Sequence, residues 1–210
     1  MILFTSDSHF YHDKILEYCP ERPGKTVEEM TEKLIANWCE AVDAGDSVFH
    51  IGDFALSEGK KRIPELLSRL KGHLTIIRGN HDQGAKLLYE AGFKVVLEEG
   101  KIRTNGKNIW LRHYPPESDG WPQKYESDIF ICGHVHQSWS KRTVELKGKT
   151  YYTINVGVDA QGFYPRTLDE LLARAPIPEK PREDQCRVCG ASKHPKADGS
   201  REPCHIHPEG

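Results

Sequence analysis

The 210-residue sequence predicts a mixed α/β fold in which two packed sheets form a β-sandwich flanked by helices, and three observations carry that prediction. Short apolar runs of strand length alternate with amphipathic stretches through the first half. In the second half, paired runs are separated by Asn105-Gly106 and Lys147-Gly148, a hairpin signature. Hydrophobic residues make up 37% of the chain and charged residues 29%, which is enough for one sizeable core.

Taken in order, Ile2 to Phe4, Ser47 to Ile51, Leu74 to Ile77, Ile109 to Leu111 and Ile129 to Cys132 read as buried strands. Each ends at Gly, Asp, Asn or His instead of continuing with helical period. Thr26 ahead of Glu28 and Glu29 reads as an N-cap with an acidic first turn, and Met30, Leu34, Trp38 and Val42 then recur on one face up to Gly45. Further helices are expected from Ile63 to Leu70 and from Gly84 to Ala91. The segments Lys101 to Thr104, Asn108 to Arg112, Thr143 to Leu146 and Lys149 to Ile154 read as antiparallel strands. Pro-rich, charged residues from Arg174 to Arg182 read as a semi-rigid linker, giving a main domain over 1–174, a linker over 175–184 and a separate tail over 185–210.

Composition narrows the function. The formal net charge is -2 with mixed signs, so neither an acidic tail nor a basic nucleic-acid footprint dominates. No apolar run reaches the roughly 18 residues of a bilayer span, and MILFTSDSHF has no signal-peptide pattern, so a soluble cytoplasmic protein is expected, with no membrane partner. The chain holds 11 His and 6 Cys, and clustered Cys and His without a secretory signal point to metal before disulfides. Cys19, Cys39 and Cys132 lack ligand spacing and read as small buried hydrophobes.

Five motifs follow one another at strand ends: Asp7-Ser8-His9, Gly52-Asp53, Gly79-Asn80-His81-Asp82, Arg112-His113 and Gly133-His134-Val135-His136. Their oxygen and nitrogen donors suit Mn, Fe, Zn or Ni. Residues two apart fall on one face of an extended chain, so Asp7 with His9, and His134 with His136, are expected to share a centre. Glycines 52, 79 and 133 are expected to let the backbone turn sharply. An aspartate between two centres can bridge two ions roughly 3.5 to 4 Å apart, the clamp used for phosphoryl hydrolysis.

The ordered set D-x-H, G-D, G-N-H-D, H and G-H-x-H resembles the calcineurin-like metallophosphoesterase superfamily over about residues 1–160. The opening SDSHFYHDKILEYCPERP is similar to its small microbial and viral members. The resemblance implies a four-layer αββα sandwich and a dinuclear phosphoesterase of phosphodiesters or phosphomonoesters, with a small phosphate ester, such as a nucleotide, as substrate. It implies that Asp7, His9, Asp53 and His136 hold one metal, with Asp53 bridging, and that Asn80, His113 and His134 complete the second. His81 then faces the leaving group, Asp82 orients its imidazole, and hydroxide held at the metals attacks phosphorus. The family often has a second aspartate after Gly-Asp, where this chain has Phe54-Ala55-Leu56, which leaves the ligands intact but the substrate side less defined.

His12 and Arg22 follow the first motif and read equally as substrate-binding rim residues or as solvated loop positions. Tyr114 to Pro122 is a proline-stiffened loop whose aromatics suit either a nucleobase or the end of the sandwich. His50 reads as a packed strand residue and His73 as a turn. In the tail, Cys186, Cys189, Cys204 and His207 have Cys3His zinc spacing, with His205 or His194 as alternative fourth ligands, and a redox pair or incidental cysteines as the plainer reading. Lys193, Lys196 and Arg201 leave nucleic-acid binding by the tail open, beside partner recruitment or a simple cap. The competing reading for the whole chain is a non-catalytic scaffold that docks a partner or nucleic acid through the tail.

Overall fold

The computed structural model describes residues 1–116, 127–146 and 148–177. Strands β1 (Ile2–Thr5), β2 (Ser47–His50), β3 (His73–Ile77), β4 (Val95–Leu97) and β10 (Arg166–Thr167) form one sheet in the order β10-β1-β2-β3-β4. Within it β1 to β4 run parallel and β10 pairs antiparallel to β1. The second sheet, in the order β5-β6-β7-β9-β8, contains β5 (Glu99–Thr104), β6 (Lys107–Arg112), β7 (Ile129–Cys132), β8 (Lys141–Leu146) and β9 (Lys149–Asn155). Two antiparallel hairpins, β5-β6 and β8-β9, flank β7, which runs parallel to both of its neighbours.

Strand alternation divides the apolar residues between two layers. Phe4, Ile51, Ile77, Ile109, Leu111, Ile131 and Ile154 pack between the sheets. Ile76 and Val96 turn outward, against Met30, Leu34 and Ile35 of α2 (Val27–Ala41), Leu66 of α3 (Ile63–Arg69) and Leu88 of α4 (Ala85–Glu90). Trp38 of the same α2 face covers Leu3 and Val48. The predicted cap is present, since the Thr26 side chain accepts a hydrogen bond from the Glu29 amide. On the outer face of the second sheet Trp110, Phe130 and Tyr151 form a cluster of their own.

The sequence reading passed over six short elements. Helix α1 (Ile15–Tyr18), 3-10 turns over Ser57–Arg62 and Val158–Ala160, strands β4 and β10 and helix α5 (Leu168–Ala173) are each six residues or fewer, too short for a periodic signal. Leu168 and Leu171 of α5 close the core between the sheets. Among the described residues no helix is long and apolar enough to cross a membrane. Most of the proposed linker, and the whole tail with Cys186, Cys189, Cys204 and His207, lie outside the described residues.

The parallel strands matter most for the site. The C-terminal ends of β1, β2 and β3 meet those of β6, β7 and β9, and open α/β sheets gather ligands beyond such ends. The sheets are joined there by main-chain bonds: the Ser6 amide donates to Val156 O at 3.0 Å, and the Val158 amide donates to Ser6 O at 3.0 Å.

Candidate metal centre

Each loop leaving β1, β2, β3, β6 and β7 brings one or two of the predicted ligands inward. Asp7, His9 and His136 place ligand atoms within 4.8 Å of one another, and Asp53, His113 and His134 do the same. Asp53 Oδ2 lies 3.6 Å from His9 Nε2 and 3.5 Å from His113 Nε2, between the two groups. Ligand atoms about 2.1 Å from one cation sit about 3.0 to 3.4 Å apart, so this spacing is close to what coordination requires. Asn80 Oδ1 and His134 Nδ1 approach His113 Nε2 at 3.0 and 3.2 Å.

The donor chemistry fits cations. The Nδ1–H of His113 donates to Ile51 O at 2.8 Å, which leaves the Nε2 lone pair facing Asp53 and Asn80 oxygens, themselves acceptors. Lone pairs converging in this way need either a proton or a metal between them. In its absence His113 is pushed up to about 9: burial opposes its protonation, but the Asp53 carboxylate outweighs that. Asp53 itself is held well below the usual carboxylate range, because His113 and His9 overcome the effect of burial. Nε2 of His9 is buried with no hydrogen-bond partner among the described residues, as a waiting ligand atom would be.

The loops converge by a different route from the one the spacing predicts. Asp7, His9, Asp53, His134 and His136 all have positive φ, between 46° and 72°, so neither D-x-H nor H-x-H is extended. His134 and His136 consequently face different groups and do not share a centre. Such conformations cost of order 1 to 3 kcal/mol each and persist only where surrounding contacts hold them. Among the three glycines, only Gly52 adopts positive φ, at 87°. At Gly79 and Gly133 the requirement is space, since a Cβ would come 2.2 Å from Asp53 Oδ1 and 2.5 Å from Asp7 Oδ2.

Two further residues differ from expectation. Asp82 does not serve the His81 imidazole: its carboxylate accepts from the amides of Asp53 and Gly79 at 2.8 Å and of Phe54 at 2.9 Å, and so shapes the loop that carries the bridging aspartate. Burial and the nearby Asp53 raise Asp82 to about 6. Arg22 is not on a rim; it is 3% exposed, and its guanidinium donates to Asp159 and to the carbonyls of Asp7 and Ser8. His12 does lie at the opening, half-buried, its ring 5.4 Å from that of His9 and its Nδ1 without a partner among the described residues. Burial lowers His12 to about 4, so its ring is neutral at neutral pH. His81, also half-buried, and exposed Asn80 line the same opening, with the His81 ring 5.7 Å from His9.

Sequence reasoning stopped at the end of β9 and missed Asn155, Asp159 and Gln161. Buried Asn155 donates to His136 O at 2.7 Å and Trp139 O at 2.6 Å, anchoring the G-H-x-H loop, while Gln161 donates to Asn155 O at 2.6 Å. Asn155-Val-Gly157-Val-Asp159 has the polar-glycine signature of the other strand ends, which was the signal available. His50 is a packed strand residue as expected, 2.9 Å from Ser8 Oγ.

A family model described as the calcineurin-like phosphoesterase superfamily domain matches residues 1–164. An uncharacterized protein of Methanocaldococcus jannaschii is 36% identical over 177 residues, which cover 81% of this chain and 89% of that one. Among solved structures, a protein of unknown function from Aquifex aeolicus aligns at a TM-score of 0.62 with 26% identity, covering 81% of this chain and 97% of that one. A phosphoesterase from E. coli aligns at a TM-score of 0.39 with 18% identity, over 73% of this chain and 77% of that one.

Proposed function

Because the chain belongs to the calcineurin-like phosphoesterase superfamily, we propose that it is a dinuclear metal-dependent hydrolase of phosphate esters, with nucleotides as its substrate class. The observation that carries this reading is that Asp53 Oδ2, a member of the group with His113 and His134, also reaches His9 of the other group, at 3.5 Å from His113 Nε2 and 3.6 Å from His9 Nε2. Asp7, His9 and His136 hold one divalent ion, Asn80, His113 and His134 the other, and Asp53 belongs to both. When bound, the ions supply Lewis acidity to the phosphate oxygens and to an attacking water.

The chain's own residues do the rest. Asn80, exposed at the opening and tied to His113, places an amide beside an entering phosphate. His81 reaches the same opening with its main chain fixed, its amide donating to Asp53 Oδ1 at 3.0 Å. A half-buried imidazole there can hand its proton to a departing alkoxide, and Asp82 contributes by holding the Asp53 loop. His12, neutral and beside His9, is the substrate contact we retain; the burial of Arg22 favours a structural role for it. Cys19, Cys39 and Cys132 are free thiols, which supports a reducing, cytoplasmic setting. The tail zinc at Cys186, Cys189, Cys204 and His207 remains part of the proposal.

Purified full-length protein is expected to hydrolyse bis-p-nitrophenyl phosphate or p-nitrophenyl phosphate with Mn, Ni, Fe or Co, and to carry about two such ions plus one zinc. His81→Ala should keep the metals and lose about 10²- to 10⁴-fold in kcat. Asp53→Asn should lose both metal and turnover. Full activity in Asp53→Asn would sink the two-metal assignment, and tail zinc as the sole bound metal would favour the scaffold reading.

A further inference from the structure

One guanidinium ties three distant pieces of chain together beneath the first ligand group. Arg22 Nε donates to Asp159 Oδ1 at 2.8 Å and Nη2 to Asp159 Oδ2 at 2.7 Å, a two-pronged ion pair in which both side chains are buried. The same Nη2 donates to Asp7 O at 2.6 Å, and Nη1 donates to Ser8 O at 2.8 Å. Asp159 Oδ2 in turn accepts from His136 Nδ1 at 2.9 Å. Asp7 and His136 belong to one ligand group, and both sit in left-handed backbone that needs outside support. The other group has further supports of its own, Asp82 on the Asp53 loop and Ile51 O on His113, and meets the first where the His134 amide donates to the Asp7 carboxylate at 3.0 Å.

Cys19, His136 and Asp159 also lie close enough together to form a ligand set of their own. Arg22 engages both Asp159 oxygens, so that carboxylate faces a fixed cation already and acts as a support. A carboxylate on the far nitrogen of a ligating histidine fixes the tautomer, aims the Nε2 lone pair at the metal and makes it more basic. The carboxylate can stay ionised in this buried place only while the guanidinium pairs with it, and a lysine ammonium cannot reproduce the fork.

We propose that Arg22 and Asp159 are positioning residues for the Asp7, His9, His136 group, setting the affinity of that metal site independently of the Asp53, His113, His134 site. The inference rests on the two-metal reading and deepens it.

Mn²⁺ binding to the full-length protein, followed by equilibrium dialysis and by the EPR signal of coupled against isolated Mn²⁺, tests it. Wild type should bind two ions with a coupled signal. Asp159→Asn should weaken one ion about 10- to 100-fold, leave the other within about twofold, and convert the spectrum to isolated Mn²⁺ at intermediate loading. Arg22→Lys, which keeps the charge and loses the fork, should shift the same site in the same direction, and carries the test if Asp159→Asn does not fold. Asn80→Ala should weaken the other ion instead. Equal weakening of both ions by Asp159→Asn or Arg22→Lys, or no change in either, overturns the positioning role. Failure of wild type to bind two Mn²⁺ ions overturns the two-metal reading itself.

Discussion

Glycine 79 shows how little room the centre leaves at the level of single atoms. Its missing Cβ is what lets Asp53 Oδ1 approach, and its own backbone is not left-handed, so Gly79→Ala should push the bridging carboxylate away without straining the backbone of residue 79 itself. We expect that variant to fold but to lose bound metal and at least about 10²-fold in turnover, as displaced catalytic groups do; metal analysis beside the hydrolysis assay checks it, and a fully loaded, active variant refutes it. Residue types were legible in the sequence because ligands must be Asp, His or Asn, and their order along the chain is visible. Roles that depend on neighbours were not. Asp82 next to His81 reads as an imidazole partner, yet its oxygens go to three amides, and Arg22 reads as a rim residue, yet it is buried against Asp159. Side-chain direction in left-handed turns does not follow the period-two rule, which is why H-x-H misled, whereas Asp7 and His9 share a ligand group as expected though by a left-handed route.

Elements with strong periodicity were legible, and short ones were not. Helix α2 carries its own cap and apolar face, so its bounds follow from local chemistry. Strand β10 is two residues long and exists only because β1 offers an edge. Helix α5 could have been found, since Thr167 and Glu170 form a capping box in which the Thr167 side chain accepts from the Glu170 amide and the Glu170 side chain accepts from the Thr167 amide. Removing the hydroxyl in Thr167→Ala should cost about 1 kcal/mol, measured as a lower urea midpoint at unchanged slope. Because α5 lies beside β10 and β1, away from the ligands, metal content should not move; a midpoint equal to wild type would show that the cap contributes nothing.

Across the whole molecule, protonation links the core to pH. Burial lowers His50 to about 3, against about 6.5 for an unfolded histidine, so below about pH 6.5 the unfolded chain takes up a proton that the native fold refuses. Stability from this residue is therefore complete at neutral pH and declines on acidification. The stability difference between wild type and His50→Gln should change by about 1.4 kcal/mol per pH unit between about pH 6 and pH 4, wild type losing more; parallel curves would contradict it. At this scale the two-sheet architecture was readable from hairpin turns and apolar runs, but the placing of β7 between the hairpins was not. That pairing depends on partners far along the chain, which no local pattern encodes.

The seam where both sheets end has a consequence in time. Ser6 pairs across it with Val156 and Val158, and the His134 amide reaches the Asp7 carboxylate at 3.0 Å, so contacts at the centre close loops of well over a hundred residues. Loops of that size close late in folding, after local helices and hairpins have formed. A nascent or half-folded chain therefore offers cations scattered single ligands and no chelate, and loading waits for a finished sandwich. Once loaded, the ions brace the last contacts to form, and their hold is felt as slower unfolding and a longer native lifetime.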